Sequence, residues 1–370
     1  MARPILALPA VAGPGLQAAL LAALSGTGPA LLPLPPDPAA AARVRAALRP
    51  DEPEADEEVA LVVPTSGSTG EPKGVLLTAA CLTASARAAE QRLGGPAAWL
   101  LALPATHIGG LQVLLRALLA GAPPVVSTDL VAGTAALPPG RRRTSLVPTQ
   151  LRRALADPAV TAALTSYDVV LLGGAAAAPP LLAEARAAGI RVVTTYGMTE
   201  TSGGCVYDGV PLPGVTAAVG DRIALTGPVV ARGYRLRPDL TAGSFQGRTY
   251  TTGDVGRWSS DGRLVVVGRA DDLVVTGGEK VAPAAVEAAL AEHPAVAEVA
   301  VVGVPDPDWG ARVVAHVVLR PAAALTLEQA REHVAARLGR VAAPRELRLL
   351  AALPLLPSGK PDRAALRSRP

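Results

Sequence analysis

The sequence predicts an α/β fold in which parallel and mixed sheets are wrapped by helices. Half of the 370 residues are hydrophobic and 18% are charged, a balance typical of globular proteins with a buried core. From Leu61 onward, short apolar segments alternate with segments of helical spacing, as in a parallel sheet covered on both faces. Beyond Gly197, short strands and turn residues dominate, which indicates a β-rich part.

The alternation assigns elements in chain order. Residues 1–50 predict one or two short helices, and the acidic stretch 51–58 predicts a solvated connector. The elements predicted next are strand 61–63, helix 78–92, strand 99–103, helix 111–120, strand 145–147, helix 150–156, strand 169–172, helix 180–188 and strand 191–194. We expect these strands to form the parallel sheet.

Two further parts are expected towards the carboxyl end. Residues 205–270 hold short strands separated by Gly, Pro and Asp, and they predict a small β-barrel-like subdomain or a distorted sheet. A third part begins near Asp271, with helix 283–291, strands 296–304 and 313–319, helix 327–338 and a last segment, 347–350. The sequence therefore predicts a core of residues 1–270 and a small α+β domain of residues 271–370.

Composition excludes several classes of protein. The 35 basic and 31 acidic residues give a net charge of +4, too balanced for a nucleic-acid or anionic-membrane partner. Cys81 and Cys205 are too far apart to suggest a disulfide framework or a zinc site. No apolar run is long enough to span a bilayer, and Pro4, Pro9 and Pro14 interrupt any signal sequence. We expect a cytoplasmic protein.

The segment 65–74, TSGSTGEPKG, has the features of a phosphate-binding loop. Its three glycines allow the backbone to approach an anion, its hydroxyls and N–H groups can donate to phosphate oxygens, and Lys73 adds a positive charge. The spacing excludes the GxxxxGK[ST] loop. A flexible surface loop is the structural alternative.

Five ordered motifs between residues 64 and 360 resemble those of the adenylate-forming superfamily, which includes acyl-CoA synthetases, peptide-synthetase adenylation domains and luciferases. These motifs are the loop 65–74, TYGMTET at 195–201, YTTGD at 250–254, GRADD at 268–272 with GGEK at 277–280, and PSGK at 357–360. The resemblance implies the superfamily fold, shortened before the phosphate loop, with a mobile carboxy-terminal domain.

The resemblance also implies ATP and Mg²⁺ as cofactors, coenzyme A as co-substrate, and a role for each matching residue. Lys360, Thr199 and Glu200 would be catalytic, and Glu200 would also bind the metal. The implied nucleotide and coenzyme contacts are Thr65, Ser66, Gly67, Ser68, Thr69, Gly70, Lys73, Gly173, Gly174, Ala175, Tyr196, Gly197, Asp254, Arg269, Gly277 and Gly278, with Asp271 as the hinge. Taken alone, Glu200 could cap a helix, Tyr196 could be a core ring, and Lys360 could be a solvated side chain.

Two segments resemble the o-succinylbenzoate–CoA ligases of menaquinone biosynthesis, in their compact actinobacterial form. They are 107–111, HIGGL, with Arg116 on the following helix, and 203–211, GGCVYDGVP. No Asp lies between Gln91 and Ala120, which counts against an amino acid substrate. The acid that the resemblance implies is a dicarboxylate, and its second carboxylate needs a cation as partner. His107 and Arg116 are therefore the predicted substrate contacts. Structural alternatives are a hydrogen-bonded His107 and an Arg116 on the helix surface.

The resemblance thus implies an acid–thiol ligase that forms o-succinylbenzoyl-CoA through an acyl-AMP intermediate. Its expected partners are the small molecules o-succinylbenzoate, ATP and coenzyme A, and a homodimer is a possible assembly. Three alternatives remain open: another aryl- or acyl-CoA ligase, a stand-alone adenylation domain that loads a carrier protein, and a degenerate nucleotide-binding protein without catalysis.

Overall fold

The computed structural model describes residues 2–54, 56–66, 72–355 and 361–368. The chain divides into two compact units. Unit 1 contains residues 1–174, 185–218 and 224–252, and unit 2 contains residues 175–184, 219–223 and 253–370. From the sequence, a mobile domain is expected to begin after residue 270. That boundary stays a prediction.

The helices and strands of the described residues follow in chain order. The helices are α1 (Pro14–Leu24), α2 (Pro38–Leu48), α3 (Ala79–Arg92), α4 (Ile108–Leu119), α5 (Leu130–Ala135), α6 (Pro148–Leu155), α7 (Pro158–Thr165), α8 (Pro179–Ala187), α9 (Pro238–Ser244), α10 (Pro283–Ala291), α11 (Leu327–Leu338) and α12 (Arg363–Arg367). The strands are β1 (Ile5–Pro9), β2 (Ala30–Leu34), β3 (Val59–Ser66), β4 (Pro72–Thr78), β5 (Ala98–Leu101), β6 (Val125–Val126), β7 (Arg142–Leu146), β8 (Val169–Leu172), β9 (Val192–Met198), β10 (Gly203–Tyr207), β11 (Val210–Pro211), β12 (Thr216–Val219), β13 (Ile223–Thr226), β14 (Gly233–Tyr234), β15 (Phe245–Gln246), β16 (Thr249–Thr251), β17 (Asp254–Trp258), β18 (Leu264–Arg269), β19 (Val274–Thr276), β20 (Glu279–Val281), β21 (Val296–Asp306), β22 (Gly310–Leu319) and β23 (Glu346–Leu349).

The first sheet of unit 1 has the order β1-β2-β3-β4-β14. Strands β1, β2 and β3 are parallel, whereas β4 pairs antiparallel with both β3 and β14. Residues 1–50 therefore supply two strands as well as the two expected helices, so the purely helical prediction was wrong. The segment 65–74 begins in β3 and returns along β4, which places the predicted phosphate loop at a hairpin.

The second sheet of unit 1 confirms the predicted parallel strands. Its order is β11-β10-β9-β8-β7-β5-β6, in which β5 to β9 are parallel and β10 is antiparallel to β9. Strand β3, by contrast, lies in the first sheet rather than in this one. A buried apolar cluster with Leu20, Val63, Leu82 and Leu114 joins helices α1, α3 and α4 to the first sheet.

Of the two arrangements predicted for residues 205–270, a small barrel or a distorted sheet, the described residues exclude the closed barrel. Strands β12, β13, β16 and β15 form one open sheet, and β17 and β18 form a separate two-stranded sheet. These strands are only two to six residues long. Closure into a barrel requires longer strands with a continuous stagger.

Unit 2 contains the predicted α+β part. Its sheet has the order β20-β19-β22-β21, and β23 lies parallel to β22. Helices α10 and α11 have the predicted bounds, because Pro283 occupies the first helical turn and the Thr326 hydroxyl accepts a hydrogen bond from the Gln329 amide. Leu290, Val301 and Val313 are buried in the core between sheet and helices.

None of the helices in the described ranges combines the length and the apolar character needed to cross a membrane.

Candidate active site

Glu200 lies in a short turn that follows the central parallel strand β9. The turn is a 3-10 helix over Thr199–Thr201. The Thr201 hydroxyl fixes it, since it accepts a hydrogen bond from the Met198 amide at 3.0 Å and donates to the Gly203 carbonyl at 2.9 Å. Thr199 is buried, whereas Glu200 is partly exposed. The turn therefore presents a carboxylate at the carboxyl edge of the sheet, where α/β proteins commonly bind ligands.

The carboxylate of Glu200 has a tyrosine partner that the sequence analysis did not single out. The Tyr234 hydroxyl donates to Glu200 Oε1 at 2.8 Å. The backbone amide of Ala231 also donates to the Glu200 carbonyl, at 2.9 Å. Burial, together with the charge of Glu200, raises the pKa of Tyr234 above its ordinary value. The hydroxyl thus stays protonated and available as a donor.

Tyr234 belongs to a small aromatic cluster. Its ring packs edge-on against Phe245 with centroids 5.3 Å apart, and Phe245 packs against Tyr250 at 4.9 Å. The Tyr234 and Tyr250 hydroxyls are 3.3 Å apart. The chain has three Trp, five Tyr and one Phe, so this cluster gathers a third of its aromatic side chains. That scarcity is the sequence signal that could have drawn attention to Tyr234.

The flanks of the phosphate loop lie beside the same tyrosine. Thr65 and Lys73 are paired across β3 and β4, and the Thr65 hydroxyl donates to the Lys73 carbonyl at 3.3 Å. Lys73 Nζ lies 5.7 Å from the centroid of the Tyr234 ring. Two predicted site residues, Lys73 and Glu200, therefore share one neighbour within unit 1.

Several expected contacts fall on residues that the structure does not describe. Ser66 ends β3, while Gly67, Ser68, Thr69 and Gly70 lie outside the described residues. Lys360 also lies outside them. The roles expected for these residues stay predictions.

The predicted adenine contacts lie at the ends of β8 and β9. Tyr196 is partly exposed in β9, opposite Val206 of β10, and Gly197 follows it. Gly173 follows β8 and approaches β9 so closely that an added β-carbon would stand 2.3 Å from Thr195 Oγ1. Gly174 also belongs to unit 1, whereas Ala175 belongs to unit 2.

His107 directly precedes helix α4, whose first turns contact the Glu200 turn. The Gln112 side-chain amide donates to the Ser202 carbonyl at 2.7 Å, and the Ser85 hydroxyl donates to the same oxygen at 3.1 Å. His107 itself is exposed. The structure thus brings His107 and Glu200 to one edge of the sheet through buried contacts that the sequence analysis missed.

Arg116 lies in the last turn of α4, about 13 Å along the helix axis from His107. Its side chain is buried rather than on the helix surface. The guanidinium donates to the Tyr207 hydroxyl at 3.2 Å and lies 5.5 Å from the Trp99 ring centroid. Trp99 pairs with Arg143 near the amino ends of their strands. The structure does not bring Arg116 and His107 together, and substrate contact by Arg116 stays a prediction.

The predicted ribose contacts form one cluster within unit 2. Asp254 and Arg269 are opposite each other in the β17–β18 pair, and Asp254 Oδ1 lies 3.7 Å from Arg269 Nη1. The guanidinium covers Gly253, where a β-carbon would stand 2.5 Å from Arg269 Cζ. Asp254 is buried and Arg269 is half exposed. Glycine at position 253 thus leaves room for the guanidinium beside the Asp254 carboxylate.

The predicted hinge and the predicted coenzyme A segment also lie in unit 2. Asp271 is exposed in the turn Ala270–Asp272, with its carboxylate 3.4 Å from Arg269 and 3.7 Å from Arg222. Gly277 and Gly278 connect β19 to β20 with φ values of 58° and 81°. Such a two-residue hairpin requires left-handed backbone at both positions, which glycine adopts without strain.

The donor set fits a magnesium ion that arrives with a nucleotide. Among the described residues, no group of three or more His, Cys, Asp or Glu side chains could hold a metal ion. Mg²⁺ in nucleotide sites is commonly held by one or two carboxylates, with phosphate oxygens and water as further ligands. Glu200, a partly exposed carboxylate with one oxygen hydrogen-bonded to Tyr234, fits that arrangement.

Comparisons with known proteins identify relatives of the whole chain. A probable 2-succinylbenzoate–CoA ligase from Mycobacterium tuberculosis is 51% identical over 366 residues, covering 95% of this chain and 94% of that protein. The o-succinylbenzoate CoA synthetase from Bacillus subtilis, solved with the acyl-adenylate intermediate OSB-AMP, has a TM-score of 0.77 and 28% identity, covering 99% of this chain and 83% of that one. Its complex with ATP and magnesium ion has a TM-score of 0.73 and 27% identity, covering 98% and 84%.

These structural similarities confirm the predicted adenylate-forming fold. The model of the AMP-binding enzyme family matches residues 20–235, and that of the AMP-binding enzyme C-terminal domain matches residues 285–360. The chain therefore belongs to the family of AMP-binding enzymes.

Proposed function

We propose that the protein is an ATP-dependent ligase that activates o-succinylbenzoate as an acyl adenylate and transfers the acyl group to coenzyme A. The observation that carries this proposal is the 51% identity to a probable 2-succinylbenzoate–CoA ligase along nearly the whole of both chains. The same activity places the protein in menaquinone biosynthesis, with ATP, Mg²⁺ and coenzyme A as its cofactors and co-substrate.

The site residues suit the first half of this reaction. A substrate carboxylate attacks the α-phosphorus of ATP and pyrophosphate leaves, so two anions must be brought together and their charge neutralised. Lys73 and the loop 65–70 would bind phosphate oxygens, and Thr199 would donate to the α-phosphate. Glu200 would hold Mg²⁺, which neutralises phosphate charge when bound. Lys360 would stabilise the charge that grows between the two reacting groups.

Other residues would bind the rest of the substrates. Tyr196 would stack on adenine, with Gly173, Gly174, Ala175 and Gly197 shaping its pocket. Asp254 would accept both ribose hydroxyls, because a carboxylate can accept two O–H donors, and Arg269 would support it. Either His107 or Arg116 would face the second carboxylate of the acid. Gly277 and Gly278 would contact the pantetheine arm after a rotation at Asp271.

The test is turnover of defined acids by the purified protein. We expect ATP, Mg²⁺, coenzyme A and o-succinylbenzoate to yield o-succinylbenzoyl-CoA, AMP and pyrophosphate. Turnover of benzoate but not o-succinylbenzoate would indicate another aryl-CoA ligase. Transfer only to a carrier protein would indicate an adenylation domain, and no pyrophosphate release with any acid would indicate a non-catalytic nucleotide-binding protein.

Two further properties belong to this proposal. We infer a cytoplasmic enzyme, because its expected substrates ATP and coenzyme A are cytoplasmic metabolites. A homodimer is the assembly we propose for it. Cell fractionation tests the location, and light scattering on the purified protein tests the assembly.

A further inference from the structure

We propose that Tyr234 is a positioning residue that orients the Glu200 carboxylate for the magnesium–nucleotide complex. This inference rests on the proposed function, and it assigns a role to a side chain outside every motif that pointed to that function. The observation that carries it is the 2.8 Å hydrogen bond from the Tyr234 hydroxyl to Glu200 Oε1.

The sheet register holds Tyr234 in place. Strand β14 pairs antiparallel with β4, so that Tyr234 lies opposite Val75. Alternate residues of a strand share a face, and Lys73 therefore lies on the same face of β4 as Val75. This register explains why Lys73 Nζ lies over the Tyr234 ring, 5.7 Å from its centroid.

The tyrosine is fixed on its other sides as well. Tyr234 is only 7% exposed. Its backbone amide donates to the Thr241 hydroxyl at 2.9 Å, and its ring packs against Phe245. The amide of Ala231, three residues earlier, donates to the Glu200 carbonyl. Both the backbone and the side chain of Glu200 are thus held by the segment that carries Tyr234.

This arrangement constrains one carboxylate oxygen and leaves the other available. A flexible glutamate must lose side-chain freedom when it binds an ion, at a free-energy cost. The charge-assisted hydrogen bond to Oε1 already restricts the glutamate side chain before the nucleotide binds, so less freedom is lost on binding. Tyr234 also places an aromatic face beneath the Lys73 ammonium, so that one ring aligns the cation and the carboxylate of the site.

The decisive variant is Tyr234→Phe, which keeps the ring and its packing and removes only the hydroxyl. We expect affinity for Mg²⁺ with α,β-methylene ATP, measured by calorimetry, to fall about tenfold, the loss typical of one charge-assisted hydrogen bond. In turnover assays, the half-saturating Mg²⁺ concentration should rise by a similar factor, while the KM for the acid stays unchanged. Unchanged magnesium–nucleotide affinity would overturn the inference.

Tyr167→Phe is the matched control. Tyr167 is buried in the same unit, and its hydroxyl is 2.8 Å from the Thr134 hydroxyl rather than near Glu200. The control should unfold at a lower temperature than the parent, yet bind the analogue with parental affinity. An equal loss of affinity in both variants would mean that Tyr234 acts only through stability, and would overturn the inference.

A double-mutant cycle tests whether the hydroxyl acts through Glu200. In a Glu200→Ala background, Tyr234→Phe should change analogue affinity by less than about twofold, because the acceptor is already absent. Independent, multiplicative losses would contradict the proposed coupling. Failure of the proposed function is recognised separately, as absence of o-succinylbenzoate turnover by the parent protein in spite of magnesium–analogue binding.

Discussion

Arg235 is a buried cation whose side chain is enclosed by oxygen atoms. Its guanidinium donates to the carbonyls of Leu48, Arg49 and Glu52, and to the carboxylate of Glu54 at 2.7 Å. The side chains of Arg235 and Glu54 are 2% and 10% exposed. A buried ion pair depends on both members, because removing one leaves the other charged and uncompensated.

Glu54→Ala is therefore expected to lower the free energy of unfolding by about 3 kcal/mol. Urea unfolding followed by circular dichroism measures the change. Glu52→Ala is the control, since the Glu52 side chain forms an exposed pair with Arg49 and such pairs contribute only about 0.5 kcal/mol. Similar losses in the two variants would contradict the assignment.

Lys360 is the residue whose proposed role is most specific to one chemical step. Lys360→Ala should lower the rate of acyl-adenylate formation by a factor on the order of 10²–10³, because it removes a charge that stabilises the transition state. ATP–pyrophosphate exchange measures this step. Thioester formation from supplied acyl adenylate should continue, and unchanged exchange would rule out the assignment.

At the scale of elements, local signals predicted most of the helices and strands. Pro283 at the start of α10 and the Thr326 cap of α11 marked both helices, and the parallel strands β5, β7, β8 and β9 appeared as short apolar runs. Strands β1 and β2 were missed because prolines break their apolar pattern. Strand β4 was missed because Pro72, Lys73 and Gly74 were assigned to the predicted phosphate loop 65–74.

The contacts that the sequence analysis missed were non-local. Glu54 pairs with a residue 181 positions away, and Tyr234 bonds to a residue 34 positions away. Neither pairing leaves a periodic or motif-like signal in the sequence. The roles expected for Glu200, Tyr196 and Lys360 came from motif resemblance, and local pattern alone left a structural alternative for each. Contacts between residues far apart in the chain therefore could not be predicted from the sequence.

The cap of α11 provides a test at the scale of a single element. The Thr326 hydroxyl accepts from the Gln329 amide, and the Gln329 side chain accepts from the Thr326 amide. Thr326→Ala should lower the free energy of unfolding of unit 2 by about 1 kcal/mol, because one amide loses its acceptor. Thr326→Ser, which keeps an acceptor oxygen, should lose much less in the same urea titration. Equal losses would show that the hydroxyl does not act as a cap.

At the scale of the whole molecule, the titratable rings and thiols are unevenly distributed. All five tyrosines and both cysteines lie in unit 1. Burial raises the pKa of Tyr167 and Tyr207 above their ordinary values, and it raises the pKa of Cys205 to about 12. These groups stay neutral in the folded protein at pH values where the unfolded chain ionises.

Stability should therefore fall on the alkaline side. Below about pH 7.5, both folded and unfolded states keep these groups protonated, and their contribution is fully present. As the pH rises through about 8.5 for the cysteine and about 10 for the tyrosines, the unfolded state loses protons first, so the free energy of unfolding decreases. Urea titrations at pH 8 and pH 10.5 test this, and Tyr167→Phe should reduce the difference. A flat profile would contradict the buried, neutral state.

The pairing of β3 with β4, on either side of the predicted phosphate loop, has a consequence for engineering. Ser66 and Pro72 are paired in the β3–β4 ladder, so the scaffold specifies both ends of the intervening segment 67–71. The two anchoring strands contribute Val63 and Val75 to the buried core. If the proposed phosphate role of this segment holds, libraries that vary it at constant length, between fixed Ser66 and Pro72, are the direct route to an altered triphosphate preference.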